Sequence, residues 1–460
     1  MLSAEGGMSG IFKAYDIRGV YPDELDESIM YAIGYHFRGI LSSEDLDRGG
    51  RVVVSRDMRE SSVPLVAALA DGLRTAGLGV IDIGLATTPM NYFAIGHLAA
   101  SAGIQVTASH NPAKYNGAKL SRRDAIPVSN ETGIGELEQL VKATPAPPVS
   151  PIASYEQRDI FSAYREHVLR FVRLRDPRLK VAVDVANGMA TLYEPLLRAL
   201  NLEMVPLFFG LDGNFPNHEA NPLKPENLRD LQRAVREHGC ALGLAFDGDA
   251  DRAIMVDDQA AIVGADLVTA LLAGPVLERF PGRPIIYDIR SSWATKEAIL
   301  AAGGQPVRER VGHSFMKATM RRLGSPFGGE LAGHFYWMEN YCADSSLITA
   351  IELLNVLRRE GKPFSVLLAP HRRYAGTGEI NFRVEDKPAM IRRLAEVFGD
   401  GKIDYVDGIT VEYADWWFNV RPSNTEPLLR LVMEARTPGL LAEVKPRLLA
   451  ILGEPEAGGH

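Results

Sequence analysis

Three short apolar runs punctuate the chain. They read RVVVSRD from Arg51, KVAVDVANG from Lys180 and RPIIYDIRSS from Arg283, and each follows a basic residue and ends near an aspartate. Their Val and Ile content is that of strands buried on both faces of a parallel sheet. Behind the first comes SSVPLVAALADGLRTAG and behind the third WATKEAILAAGG, both apolar at helical spacing and both stopped by glycine. A strand, a helix and a glycine stop in that order make a βα unit. The pattern therefore predicts an α/β protein with three consecutive similar α/β domains. After about Gly378 the character changes. GEINFRV and ITVEYADWWFNV alternate, PAMIRRLAEVF is helical, and LLRLVMEA and LLAEVKPRLLAIL close the chain. That pattern predicts a smaller α+β C-terminal domain. ATPAPPVSP, from Ala143 to Pro151, cannot continue a helix and reads as a linker. The predicted domains are 1–150, 151–257, 258–370 and 371–460.

Composition narrows the function classes. The chain has 460 residues, 46% hydrophobic and 23% charged, enough to bury several cores. A formal net charge of −8 argues against a nucleic-acid partner, so an anionic ligand must be held by locally placed Arg and Lys. The only cysteines, Cys240 and Cys342, make neither a disulfide framework nor a metal knot, which fits a reducing, cytoplasmic location. No basic segment followed by an apolar one opens the chain. The longest apolar-looking stretch, Ile262 to Leu277, contains Asp266, Thr269, Gly274 and Pro275, and reads as a buried helix, so no membrane is expected.

DGDADR, residues 247 to 252, carries the sharpest chemistry. LGLAF before it and AIMV after it are strand-like, so it occupies a strand–loop–strand. In an extended or loop backbone alternate side chains share a side, and Asp247, Asp249 and Asp251 can converge on one point. Three carboxylates there call for a hard divalent cation. An EF-hand loop is excluded, because its sixth and twelfth positions need Gly and Glu, and Arg252 and Asp258 stand there.

VTASHNP, from Val106, contains Ser109 outside any G-x-S-x-G elbow and outside any P-loop. In AKYNGAKL, which follows, Asn116-Gly117 reads as a turn and Lys119 returns a cation to the neighbourhood. Serine, histidine and lysine so close together suggest phosphate handling. RPSNTEP, from Arg421, follows a strand. Its arginine offers a planar fork of donors, and its loop offers a backbone nest for an anion. In GGELAGH, Glu330 and His334 flank flexible glycines, which suggests close ligand approach.

Together TASHNP, DGDADR, GELAGH and RPSNTEP resemble the α-D-phosphohexomutase superfamily, in its order and at roughly its spacings. KAYDIRG, SRDMRESS, GLATTP and VGHSFMK extend the resemblance over nearly the whole chain, and YNGAK is most similar to the bacterial phosphomannomutase/phosphoglucomutase branch. The resemblance implies reversible exchange of phosphate between the 1- and 6-positions of glucose or mannose phosphates. Ser109 would carry the phosphoryl group, and Mg²⁺ would be held by Asp247, Asp249, Asp251 and the phosphoserine. A hexose 1,6-bisphosphate would be the intermediate and activator. It further implies that Arg421, Ser423, Asn424 and Thr425 take the distal phosphate, that Glu330 and His313 meet the sugar, and that Tyr15 closes over it. His110 and Arg252 would support the phosphoserine and the metal loop. Lys119, Arg18 and His334 are the candidate proton-transfer groups. A monomer or small homo-oligomer is expected. Ala332 stands where relatives usually carry a serine, which puts sugar selectivity in question. Phosphoglucosamine mutase, phosphopentomutase and a phosphosugar-binding protein without turnover are the alternatives.

Overall fold

The computed structural model describes residues 10–423 and 428–456. They form two compact units. One comprises the chain up to Val263 together with Gly333–Phe364, the other Gly264–Ala332 together with the chain from Ser365. The predicted architecture is present: three α/β portions, then a C-terminal portion built on an antiparallel sheet.

The first sheet is organised around Arg51–Arg56. This strand runs parallel to Gly79–Leu85 on one side and to Ala102–Val106 on the other. Val52, Val53 and Val54 are fully buried, as a central strand requires. Tyr115–Arg122 adds antiparallel to Ala102–Val106, and Ile17–Val20 adds antiparallel to Tyr115–Arg122. At the opposite edge Tyr155–Gln157 pairs in parallel with Gly79–Leu85, after the Pro-rich stretch. One expectation fails here. Asn116-Gly117 is not a turn but lies inside the strand Tyr115–Arg122. The glycine answers a different need: a Cβ on Gly117 would stand 2.0 Å from the carbonyl oxygen of Ile17 on the neighbouring strand.

The second sheet has Leu179–Asp184 between Leu202–Leu207 and Leu242–Phe246, all parallel. Ala253–Val256 then turns back antiparallel to Leu242–Phe246. DGDADR is the connection between those two strands, as predicted. The helix Ser346–Glu360, capped by Ser345, belongs to the same unit and is buried along nearly its whole length.

In the other unit Gln305–Glu309, Pro284–Asp288 and Phe327–Gly329 are parallel, with the helices Ala265–Arg279, Trp293–Ala301 and His313–Leu323 among them. The C-terminal sheet runs Ala375–Arg383, Leu428–Ala435, Trp416–Pro422, Ile409–Glu412, Lys402–Asp404, antiparallel throughout. Its core gathers Phe382, Phe398, Phe418 and Leu448 beside the helices Lys387–Val397 and Pro438–Leu452. An irregularity between Gly376 and Glu379 shifts the register at that edge. Among the described residues no helix is long and apolar enough to cross a membrane.

Candidate active site

Ser109 follows the strand Ala102–Val106 in a turn, and its φ of 50° is the left-handed region. Its amide donates to Thr107 Oγ1 at 2.9 Å. Its side chain is buried, with Oγ donating to Asp247 Oδ2 at 2.9 Å and lying 3.3 Å from His110 Nδ1. Gly248 lets the two loops meet, since a Cβ there would stand 2.3 Å from the carbonyl oxygen of Ser109.

The three aspartates converge as expected. One carboxylate oxygen from each of Asp247, Asp249 and Asp251 lies within 4.8 Å of the others, and all three residues are buried. A tight turn achieves this, with Ala250 at φ 62° and its amide donating to the Asp247 carbonyl at 3.1 Å. Asp247 Oδ1 accepts from the amides of Asp251 and Arg252, each at 3.1 Å. Thr88 Oγ1 donates to Asp249 Oδ2 at 2.5 Å, and Ser346 Oγ to the Ala250 carbonyl at 2.6 Å. Asp249 Oδ1 and Asp251 Oδ1 are buried yet accept no hydrogen bond. Buried anionic oxygens without donors fit a hard divalent cation. Asp251, His334 and Asp344 form a second close group, in which His334 Nδ1 already bonds Asp344 while Nε2 accepts from Arg252.

Lys119, on the strand Tyr115–Arg122, is the internal counter-charge. Its Nζ donates to Asp249 Oδ2 at 2.6 Å and to Asp251 Oδ2. Burial opposes its charge, but Asp249, Asp251 and Asp247 together drive its pKa well above the ordinary lysine value. The carboxylates split accordingly. Burial and the charges of Asp251 and Asp249 push Asp247 well up. Burial would raise Asp249 too, but the charge and hydrogen bond of Lys119 outweigh it and hold that carboxyl below its usual range. His110 goes the other way, depressed by desolvation and by the Arg252 and Arg18 cations, so its ring is neutral beside Ser109.

His334 is oriented by two partners. Arg252 Nε donates to Nε2 at 2.9 Å, and Nδ1 meets Asp344 Oδ2 at 2.8 Å. A guanidinium cannot accept, so the ring proton resides on Nδ1 and the lone pair on Nε2. Arg18 joins the serine loop through Asn111, whose Oδ1 accepts from Nη1 at 2.7 Å, and it pairs with Asp16. Tyr15 belongs to this unit as well.

Glu330, His313, Arg421 and Ser423 belong to the other unit, while Asn424 and Thr425 lie outside the described residues. Glu330 Oε1 accepts from the Gly312 amide at 2.9 Å, beside His313 at the start of its helix. Arg421 is almost fully buried at the end of its strand, and its Nη2 donates to Glu379 Oε2 at 2.8 Å. Arg430 reaches Glu379 Oε1 at 2.9 Å, and Arg290 lies 3.7 Å from Oε2. Arg290 also pairs with Asp288 at 2.5 Å, and Asp288 Oδ2 takes the amide of Leu331 at 2.9 Å. An ion-pair network thus ties GELAGH to the arginine of RPSNTEP. Arg290, Glu379, Asp57, Arg59 and Thr88 are not among the expected site residues, although SRDMRESS and GLATTP contain three of them. Arg290 ends the IIYDIR run and Thr88 sits in GLATTP, so only their place at strand and helix ends marked them.

Comparison with known proteins identifies the family. Phosphoglucomutase/phosphomannomutase alpha/beta/alpha domains I, II and III match residues 9–146, 162–260 and 265–374, and the C-terminal domain of the same family matches 379–451. A protein named phosphohexose mutases from Xanthomonas campestris pv. campestris is 41% identical over 446 residues, 96% of this chain and 98% of its own. A phosphomannomutase of Escherichia coli K12 is 38% identical over 456 residues, 96% of this chain and 99% of its own. The crystal structure of a phosphoglucomutase/phosphomannomutase family protein from Burkholderia thailandensis matches with a TM-score of 0.88 at 37% identity, covering 98% of each chain.

Proposed function

The chain belongs to the phosphoglucomutase/phosphomannomutase family, and from that premise we propose that it interconverts the 1- and 6-phosphates of glucose and mannose with Ser109 as phosphoryl carrier. The observation that carries this reading is the placement of Ser109 Oγ at 2.9 Å from Asp247, inside a cluster of three buried carboxylates. A phosphate on that oxygen would add negative charge to three aspartates. Asp247, Asp249 and Asp251 would hold Mg²⁺ together with the phosphoserine, and that cation would neutralise charge on the transferring group.

The chain's own residues supply the rest. Phosphoserine gives its phosphoryl group to the free sugar hydroxyl: the bond from Ser109 Oγ to phosphorus breaks, a bond from the sugar oxygen forms, and the hydroxyl proton passes to a base. His334 suits that base once Arg252 Nε, which donates to its Nε2 lone pair at 2.9 Å, lets go. Lys119 is held as an ammonium by its aspartates, and Arg18 is a paired guanidinium. The hexose 1,6-bisphosphate turns over in the site, and Ser109 recovers phosphate from the other end. Arg421, Ser423, Asn424 and Thr425 would hold the non-reacting phosphate. Glu330 and His313 would meet sugar hydroxyls, Tyr15 would close over the ring, and Arg252 would brace the metal loop. Such an enzyme would work in the cytoplasm as a monomer or small homo-oligomer.

The test is an intact-mass spectrum combined with turnover. Protein treated with glucose 1,6-bisphosphate should gain a single phosphate. Ser109→Ala should gain none and lose all but a small residual turnover. Near-wild-type turnover in Ser109→Ala sinks the assignment, and a panel of 1-phosphosugars with Mg²⁺ separates hexose, glucosamine and pentose substrates.

A further inference from the structure

We propose that the buried Asp57–Arg59 pair is the device that positions Ser109 for phosphoryl transfer, by gripping the serine peptide from both sides. The inference rests on the reading of Ser109 as carrier. Ser109 holds a φ of 50°, a conformation that residues other than glycine adopt only where the surroundings impose it. The surroundings that impose it trace to one ion pair.

Arg59 is almost fully buried beside a fully buried Asp57, with its Nε donating to Asp57 Oδ2 at 3.1 Å. The rest of its fork goes to carbonyls of the serine loop. Nη2 donates to Ser109 at 3.1 Å and Asn111 at 2.6 Å; Nη1 donates to Pro112 at 2.8 Å and Tyr115 at 3.2 Å. Its guanidinium lies over the Phe215 ring, 5.1 Å from the centroid. Asp57 reaches the opposite side of the serine peptide indirectly. Thr107 Oγ1 gives its hydrogen to Asp57 Oδ2 at 2.7 Å, so its lone pairs are left for the Ser109 amide at 2.9 Å. Ser62 Oγ, at 2.6 Å, fixes the other carboxylate oxygen of Asp57.

The serine N–H and C=O are therefore both set by one rigid pair, and the direction of the Cα–Cβ bond follows from the backbone. Release of either grip lets φ relax towards its ordinary negative range and swings Oγ away from Asp247. An ion pair that merely stabilised the fold would have no reason to direct four donor contacts at carbonyls between residues 109 and 115. Asp57 and Arg59 are positioning residues, because neither touches the reacting atoms.

Two variants test this. Thr107→Val keeps the volume and the ion pair but removes the hydroxyl link to the serine amide. Arg59→Lys keeps a cation beside Asp57 but cannot reach four carbonyls. Both should lower kcat roughly 10- to 100-fold, because a small misplacement of the reacting group is expensive. KM for glucose 1-phosphate should stay within about twofold. Phosphorylation of Ser109 by glucose 1,6-bisphosphate, followed by intact mass, should slow in parallel. Circular dichroism at the assay temperature checks that each variant is folded, and Thr107→Val decides the matter if Arg59→Lys is not. Wild-type kcat in Thr107→Val overturns the inference, as does a loss confined to KM or to melting temperature. If Ser109→Ala is inactive while Thr107→Val is normal, only this inference falls. If Ser109→Ala turns over normally, the carrier assignment falls with it.

Discussion

Removing the ammonium from the carboxylate cluster should make the metal-free protein fragile and its metal binding tight. In Lys119→Met the stem is kept and the charge is lost. The wild-type Nζ contacts Asp249 at 2.6 Å and also Asp251, in a site where all three aspartates are buried. Arg252 Nε, among the described residues, lies 3.9 Å from Asp247 and from Asp251, farther than the lysine it would have to replace. Breaking a buried ion pair by deleting one partner costs about 3–5 kcal/mol. Proton uptake by a carboxylate limits that loss but does not abolish it. A divalent cation replaces the missing charge, and if it recovers about a third of the penalty its affinity rises roughly tenfold over wild type. Thermal melts in EDTA and across a Mg²⁺ series, with calorimetric titration, measure both effects. Wild type should melt higher in EDTA, and the variant should show the larger Mg²⁺-induced rise. A variant as stable as wild type in EDTA, with equal or weaker Mg²⁺ affinity, would refute the view of Lys119 as the site's counter-ion.

Three further outcomes follow from the same geometry. Gly248→Ala should cut turnover by orders of magnitude, because its Cβ would strike the Ser109 carbonyl at 2.3 Å; steady-state kinetics alongside a folding check decide this. Burial opposes ionisation of Glu379, but Arg290, Arg421 and Arg430 overcome it and hold the carboxyl below its ordinary 4.5. Its stabilising effect is therefore present above that value and fades as pH falls below it, so Glu379→Gln should melt lower than wild type at pH 7, with the gap closing in acid. Ala332→Ser should change the glucose-to-mannose ratio of kcat/KM by no more than about tenfold, the worth of one neutral hydrogen bond, and a thousandfold change would show that the position governs more.

The parts of this site that were legible in the sequence are those whose signal is local. DGDADR stands between two apolar runs, so its loop and the convergence of its carboxylates follow from a few neighbouring residues. The alternating and helical segments after Gly378 predicted the C-terminal sheet and its two helices for the same reason. Asn116-Gly117 misled because that dipeptide ordinarily signals a turn, whereas here the glycine is demanded by the carbonyl of Ile17, on a strand far earlier in the chain. Arg59 lies in SRDMRESS, a segment noted for the family resemblance, but nothing in that stretch told what it grips. Its partners are backbone carbonyls fifty or more positions downstream, and a carbonyl carries no side-chain identity to read. The ion-pair network of Arg290, Glu379 and Arg421 likewise joins residues from separate stretches, each unremarkable in its own sequence context.

The hydrogen bond between Ser109 and Asp247 joins residues 138 positions apart. That separation has a consequence for how the protein comes into being. A chain made from its N-terminus completes the first sheet, serine loop included, before the residues that complete the site have been synthesised. Closing so long a loop precedes any reward from the contacts it makes, so pairing of the two loops belongs late in folding. Until then Lys119 and the serine face water with no carboxylate opposite them. A chain that stops short of Asp247 lacks all three carboxylates of the cluster, so the acidic half of the site arrives with the second sheet and not before.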